Sequence, residues 1–158
     1  MEFAINHPEV GLMTPNQAPI DRPVIRSFFL TFLHMQKTIL IGIAGLAGTL
    51  LRYWLSGYVA RRFGETFPWG TMAVNLAGCL AAGAVFYVTE ERFIVSPTVR
   101  TIILIGLLGG FTTFSSFGLQ TFTLLRDGEY GLATLNVGVS NVLGVFMVWV
   151  GYALSKAF

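Results

Sequence analysis

The sequence predicts an all-α membrane protein with four transmembrane helices per subunit, the third broken mid-membrane, assembled as an antiparallel dual-topology homodimer. Three observations carry this prediction. The 158 residues are 54% hydrophobic and only 11% charged, against roughly 25% charged in an ordinary soluble domain. The apolar residues gather into four runs, about 38–61, 70–89, 98–125 and 131–154, each at or above the roughly 20 residues that cross a bilayer as a helix. The third run is interrupted by Gly109-Gly110-Phe111-Thr112-Thr113-Phe114-Ser115-Ser116-Phe117, which brings glycines and hydroxyls but no charge.

Composition also excludes several function classes. A net charge of +2 without a Lys/Arg cluster leaves no basic face to neutralise phosphates, so nucleic acid is not a partner. Cys79 is the single cysteine and lies in an apolar run, which rules out a disulfide framework and a thiolate metal site. His7 and His34 are likewise isolated and lack a second ligand at metal spacing.

Residues 1–34 differ from the rest. Pro8, Pro15, Pro19 and Pro23, scattered charges and no sustained apolar period read as a disordered or loosely attached leader. The apolar patch from Phe28 to Leu33 is too short for a secretory h-region with a cleavage site. Met35-Gln36-Lys37 resembles a natural start, so residues 1–34 are expected to be a misassigned upstream start or an appended segment, and 35–158 the four-helix transmembrane domain.

Each run has chemical stops. Arg61-Arg62 and a turn through Gly64 close the first, and Phe67-Pro68-Trp69-Gly70 starts the second with a tryptophan suited to the headgroup interface. Glu90-Glu91-Arg92 closes the second; Ser96-Pro97 supplies the third with an N-cap and a first-turn proline. Arg126-Asp127-Gly128-Glu129 ends it, and the fourth runs from near Gly131 to Lys156. Ala44 with Gly48, Cys79 with Gly83, Gly106 with Gly110 and Ser140 with Gly144 are four apart, the spacing at which small residues let membrane helices approach.

Orientation follows from the basic residues. From Lys37 onward one side holds Lys37, Arg92, Arg100 and Lys156, and the other Arg61, Arg62 and Arg126. With so small a bias the chain inserts either way and pairs with an inverted copy. Arg22 and Arg26 of the leader would tilt that balance. Pairing also answers a size problem, because four helices hardly enclose a pore alone.

No acidic residue lies inside any run, which disfavours a proton-coupled cation or drug antiporter, since such transport ordinarily titrates an intramembrane carboxylate. The one deep charge, Arg52, lies about ten residues, roughly 15 Å of helix, before Arg62. It lines an aqueous vestibule that favours anions, or it snorkels to an interface beside Tyr53 and Trp54. Thr71 and Asn75 share one helix face, where the Asn amide is either glue between helices or a pair of donors for an anion. Asn136, Ser140 and Gly144 form a polar stripe on the fourth run, with Asn141 beside it.

In the nine-residue interruption, glycine costs a helix about 1 kcal/mol per residue, and Thr and Ser hydroxyls compete for backbone partners. Unwound backbone at membrane depth persists only inside protein or along a cavity, and its carbonyls can hold a cation. Phe114 and Phe117, three apart, can turn positive ring edges to a small anion, or can simply be core residues beside a kink.

These stretches resemble the Fluc (CrcB) fluoride channels. The resemblance runs across residues 35–158 through Gly48-Thr49-Leu50-Leu51-Arg52-Tyr53, Pro68-Trp69-Gly70-Thr71 with Val74-Asn75, the GGFTTFSSF stretch, and Asn136 to Gly144. It implies a multi-pass protein of the cell (inner) membrane that exports fluoride passively and confers fluoride resistance through two pores per antiparallel homodimer. The resemblance carries Phe114, Phe117, Asn75, Thr71, Thr113, Ser116 and Ser140 onto the fluoride pore and Arg52 onto the vestibule. It implies a structural Na⁺ on the dimer two-fold, held by main-chain carbonyls of Gly109 and Thr112. Gln120 departs from the family pattern, which has Glu there, and residues 1–34 have no counterpart. A cation or drug antiporter and a structural membrane assembly protein are the competing readings; an enzyme is disfavoured, since Ser115 and Ser116 have no His or Lys within the four runs to activate them.

Overall fold

The computed structural model describes residues 22–92 and 94–157, and its contacts divide the chain into two units, Met1–His34 and Met35–Phe158. Among the described residues every regular element is helical: α1 (Arg22–Phe63), α2 (Trp69–Phe86), α3 (Pro97–Thr101), α4 (Gly109–Phe111), α5 (Phe114–Arg126) and α6 (Tyr130–Ala157). Widened π turns continue α2 through Tyr87–Glu91 and join α3 to α4 through Ile102–Leu108. Four stretches are long and apolar enough to cross a membrane, Ile25–Phe63, Trp69–Glu91, Pro97–Arg126 and Tyr130–Ala157, so the chain is a multi-pass membrane protein.

The first helix begins well before the 38–61 run. Between Pro23 and Gly42 no proline or glycine occurs, so nothing in the chain stops a helix there. Residues 22–34, expected to lack regular structure, are helical; the remainder of that expectation, for residues 1–21, lies outside the described residues.

The ends follow local chemistry. Arg61 and Arg62 occupy the last turn of α1, where cations complement the helix dipole. Gly64, at φ 83°, closes it by donating its N–H to the Ala60 carbonyl at 2.9 Å. Ser96 caps α3 by accepting from the Val99 N–H at 3.4 Å, with Pro97 in the first turn. Gly128, at φ 81°, follows α5, and Arg126 bonds the exposed Asp127 carboxylate at 2.8 Å, holding it below its usual range. In the Tyr87–Glu91 turn Thr89 donates its hydroxyl to the carbonyls of Val85 and Phe86 at 2.8 and 3.2 Å. Such back-bonding loosens the ordinary helical ladder.

Small residues set the helix crossings. A methyl group at Gly83 would collide with the Val148 carbonyl, and one at Gly151 with the Leu80 carbonyl. The backbones of α2 and α6 therefore touch at two levels. Gly106 faces Ala44, Gly110 faces the Gly45 backbone, and Gly48 faces Leu107 and Phe111, which ties α1 to the third span. Cys79 packs against Gly144. All members of the four small-residue pairs in the sequence except Ser140 thus lie at contacts, as small residues in lipid are expected to. Large apolar side chains such as Leu50, Trp54, Phe122, Val145 and Trp149 are exposed, consistent with faces turned to lipid.

Candidate functional site

The site is built around the point where the third span leaves helical geometry. Thr112 (φ −83°, ψ 159°) and Thr113 (φ −150°, ψ 109°) take extended backbone between α4 and α5. Glycines at 109 and 110 lower the cost of stopping, and the Thr112 hydroxyl donates to the Leu108 carbonyl at 2.9 Å. Thr113 then starts α5 as its N-cap, accepting from the Ser116 N–H at 3.2 Å while its hydroxyl donates to Ser116 Oγ at 2.9 Å.

Extended backbone inside an apolar span needs new partners, and α2 supplies them. Asn75 Oδ1 accepts the Thr113 N–H at 2.8 Å, and Asn75 Nδ2 donates to the Thr113 carbonyl at 3.1 Å. One amide therefore satisfies both backbone groups of Thr113. In an uninterrupted helix the Thr113 N–H would bond to the Gly109 carbonyl; here Asn75 takes it. From α1, Arg52 Nη1 donates to the Thr112 carbonyl at 3.4 Å and the Thr49 hydroxyl to the Gly110 carbonyl at 3.5 Å. The half-buried Arg52 thus points at the interruption.

Two cavities share Thr113 in their walls. The larger, about 440 Å³, is lined by Asn75, Gly109, Thr112, Thr113, Phe114, Phe117 and Ser140 among others. The smaller, about 250 Å³, is lined by Thr49, Arg52, Tyr53, Ser56, Thr71, Val74 and Thr113. Thr71 also borders a third space of about 380 Å³ that includes Gln120 and Glu65. The Phe114 and Phe117 rings lie 5.5 Å apart at 41°, and Phe114 is 82% exposed. A large aromatic so exposed beside a cavity lacks a wall on one side.

The predicted residues are distributed unevenly. Asn75, Thr113, Phe114, Phe117, Ser140 and the metal candidates Gly109 and Thr112 border the larger cavity; Arg52 and Thr71 border the smaller. Ser116 touches Thr113 through its hydroxyl. The polar stripe of α6 divides: Ser140 and Asn141 line the large cavity, whereas Asn136, 1% exposed, donates to Thr121 Oγ1 at 2.9 Å. Thr121 in turn donates to the Phe117 carbonyl at 2.8 Å. Asn136 is therefore a strut between α5 and α6. Sequence reasoning passed over Thr49, Thr121 and the setting of Gln120. Thr49 lies one helical turn before Arg52 and Thr121 one turn after Phe117, so helical spacing from the chosen residues would have found both. Gln120 Oε1 is buried without a hydrogen-bond partner.

The site is uncharged apart from Arg52 and, at the outer space, Glu65. Among the described residues no group of His, Cys, Asp and Glu forms a metal cluster. What the arrangement offers an ion is hydroxyls, an amide, aromatic ring edges and one guanidinium.

Residues 39–152 match the family described as CrcB-like protein, Camphor Resistance (CrcB). The chain is 48% identical over 120 residues to a protein of Opitutus terrae named fluoride-specific ion channel FluC, covering 75% of this chain and 91% of that one. It is 42% identical over 121 residues to the like-named protein of Nitrosococcus oceani, covering 77% and 97%. With that of Citrifermentans bemidjiense it shares 42% over 123 residues, covering 78% and 99%. The matched stretch includes the interruption, Asn75, Arg52 and both phenylalanines, and the chain belongs to the CrcB-like family.

Proposed function

We propose that the chain is a fluoride-selective ion channel, not an enzyme, that lets fluoride leave the cytoplasm down its gradient across the cell (inner) membrane. The observation that carries this reading is the junction at Thr113, a wall residue shared by an arginine-bordered cavity and a phenylalanine-bordered cavity inside a membrane span, in a chain whose relatives are named fluoride-specific channels. Fluoride is small and strongly hydrated, so a selective path must replace its water with donors while staying narrow. Arg52 raises the local anion concentration. Thr71 and Ser116 offer hydroxyl donors, Thr113 and Ser140 can turn theirs to the ion by exchanging their bonds to Ser116 Oγ and Asn136 Oδ1, and the edges of Phe114 and Phe117 contribute weak positive potential. No lysine or arginine is placed to trap the ion beyond the vestibule, and weak contacts in series let it move on.

Asn75 serves this path chiefly by holding Thr113. With its amide engaged in both directions, it fixes the Thr113 hydroxyl at the junction. The interruption lies mid-membrane, and the exposed face of Phe114 is covered by an inverted second copy. That antiparallel, dual-topology homodimer has two pores and follows from the near-even basic residues on the two sides of 37–158.

Carbonyl oxygens of interrupted helices suit Na⁺, and the residues present fit such an ion. The Thr113 N–H goes to Asn75 rather than to the Gly109 carbonyl, which leaves that oxygen a free lone pair. The Thr112 carbonyl accepts only a long 3.4 Å bond from Arg52 and keeps its second lone pair. Gly109 and Thr112 of both copies would hold a structural Na⁺ on the two-fold, where it fixes the crossing of the third spans.

Purified protein in liposomes tests the reading with a fluoride electrode: rapid release down a fluoride gradient is expected. A structural assembly protein would release none. A drug antiporter would instead take up an organic cation when a pH gradient is imposed, and would need a titratable carboxylate that the spans do not place at the junction.

A further inference from the structure

Arg52 belongs to two neighbourhoods at once. Its side chain lines the smaller cavity with Thr49, Tyr53, Ser56 and Thr71, and its Nη1 donates to the Thr112 carbonyl at 3.4 Å. No carboxylate lines that cavity, and among the described residues Arg52 enters no ion pair. Its charge is therefore met inside the protein by one carbonyl dipole over a long bond. An anion in the cavity offers the half-buried guanidinium a full opposite charge in exchange for that dipole, and about 250 Å³ of space gives it room to turn. The carbonyl cannot follow. The Thr112 N–H and hydroxyl both go to the Leu108 carbonyl, each at 2.9 Å. The Thr112 methyl rests over Gly78, where a Cβ would collide with it, and Asn75 holds the next residue in both directions. In any exchange of partners the arginine moves and the carbonyl stays.

We infer that Arg52 couples the vestibule to the cation site: fluoride beside Arg52 draws the guanidinium off the Thr112 carbonyl and so tightens sodium on the two-fold. This coupling rests on Gly109 and Thr112 being the sodium ligands proposed for the dimer. Without fluoride the guanidinium takes one lone pair of the Thr112 oxygen and repels a cation there. With fluoride that lone pair is released and the arginine's charge is offset. Coupling between two sites is reciprocal, so bound sodium raises the vestibule's affinity for fluoride by the same factor. The crossing of the third spans is then firmest when there is fluoride to carry. Arg52 acts on sodium only through Thr112, as a positioning residue, besides drawing anions into the vestibule.

Sodium binding to the purified full chain tests this, followed by thermal unfolding in detergent with N-methylglucamine replacing sodium at constant ionic strength, once in fluoride and once in chloride. A bound ion raises the unfolding temperature with its concentration, which gives the half-saturating sodium concentration. In wild type that concentration is expected to be about fivefold lower in fluoride than in chloride, the lower end of coupling between sites. In Arg52→Gln it is expected to be low in both anions, with a ratio of about one. Arg52→Lys, measured alongside in case the neutral chain does not fold, keeps the charge and loses the planar fork; its ratio is expected to fall below that of wild type. A wild-type ratio of one, with sodium still stabilising, overturns the coupling and leaves the sodium site standing. A wild-type ratio that persists in full in Arg52→Gln or in Arg52→Lys overturns Arg52 as the link. Absence of any sodium stabilisation in wild type overturns the sodium site and the coupling together, and leaves fluoride release to be judged by the liposome measurement.

Discussion

The α2–α6 contact and the interruption at 109–117 both rest on small residues, and they use them to opposite ends. At Gly83 and Gly151 the missing side chain lets two intact helices close until backbone meets backbone. At Gly109 and Gly110, the second of which also closes on the Gly45 backbone, it lets one helix stop, and the released backbone is taken up by Asn75, Arg52 and Thr49. The first region resists change because it has no slack. The second is held by a few directional bonds and borders cavities on both sides. A fold this small needs the rigid pair so that the interrupted span keeps its shape.

The sharpest way to break the comparison is to fill the rigid contact. Gly83→Leu drives a side chain into the Val148 carbonyl, and overpacking of this kind costs about 1–3 kcal/mol or more even where neighbours can shift. Here the obstacle is backbone, so no folded protein should survive detergent extraction; a monodisperse gel-filtration peak would contradict the assignment. The next effects fall on transport. Phe114→Ala should slow fluoride release about a hundredfold, the scale on which a lost conducting contact is read as roughly 2.7 kcal/mol, with assembly preserved. Asn75→Ala should do the same and also lower thermal stability, because two backbone groups of Thr113 lose their partner at about 1–3 kcal/mol each. Unchanged flux in both variants would remove them from the path.

Asn136 separates strut from path. Its amide is buried against Thr121, so Asn136→Ala should lower stability by about 1–3 kcal/mol and leave flux per folded protein unchanged. A stable variant with impaired flux would reverse that assignment. The smallest effect is expected from Gln120→Glu. A carboxylate there would repel fluoride when ionised and cease to do so when protonated, so flux, flat with pH in the wild type, should fall by about a few-fold as pH rises through the new group's pKa. A flat profile in the variant would place position 120 away from the ion.

Much of this architecture was legible in the sequence because lipid imposes strong rules. Hydropathy marked the spans, Gly64 and Ser96-Pro97 marked ends, and the uncharged GGFTTFSSF break marked the interruption. What stayed ambiguous depended on partners distant in sequence. Asn75 read equally as glue or as a donor to an anion, and only its pairing with Thr113, 38 residues on, shows that its amide is engaged with backbone. Asn136 and Ser140 read as one stripe and stay bonded, Ser140 Oγ donating to Asn136 Oδ1 at 3.5 Å, but Thr121 takes the Asn136 amide N–H while Ser140 borders the cavity. The early start of α1 escaped notice because the patch at 28–33 was judged by its own length. A helix is ended by a breaker, and none stands between that patch and the first span.

The central claim is that the junction at Thr113 passes fluoride and little else. Liposomes loaded with equal fluoride and chloride, with both ions followed by electrode after the membrane potential is clamped, test it most directly. The account predicts fast loss of fluoride while chloride stays inside. Equal loss of the two ions, or loss of neither, would contradict it.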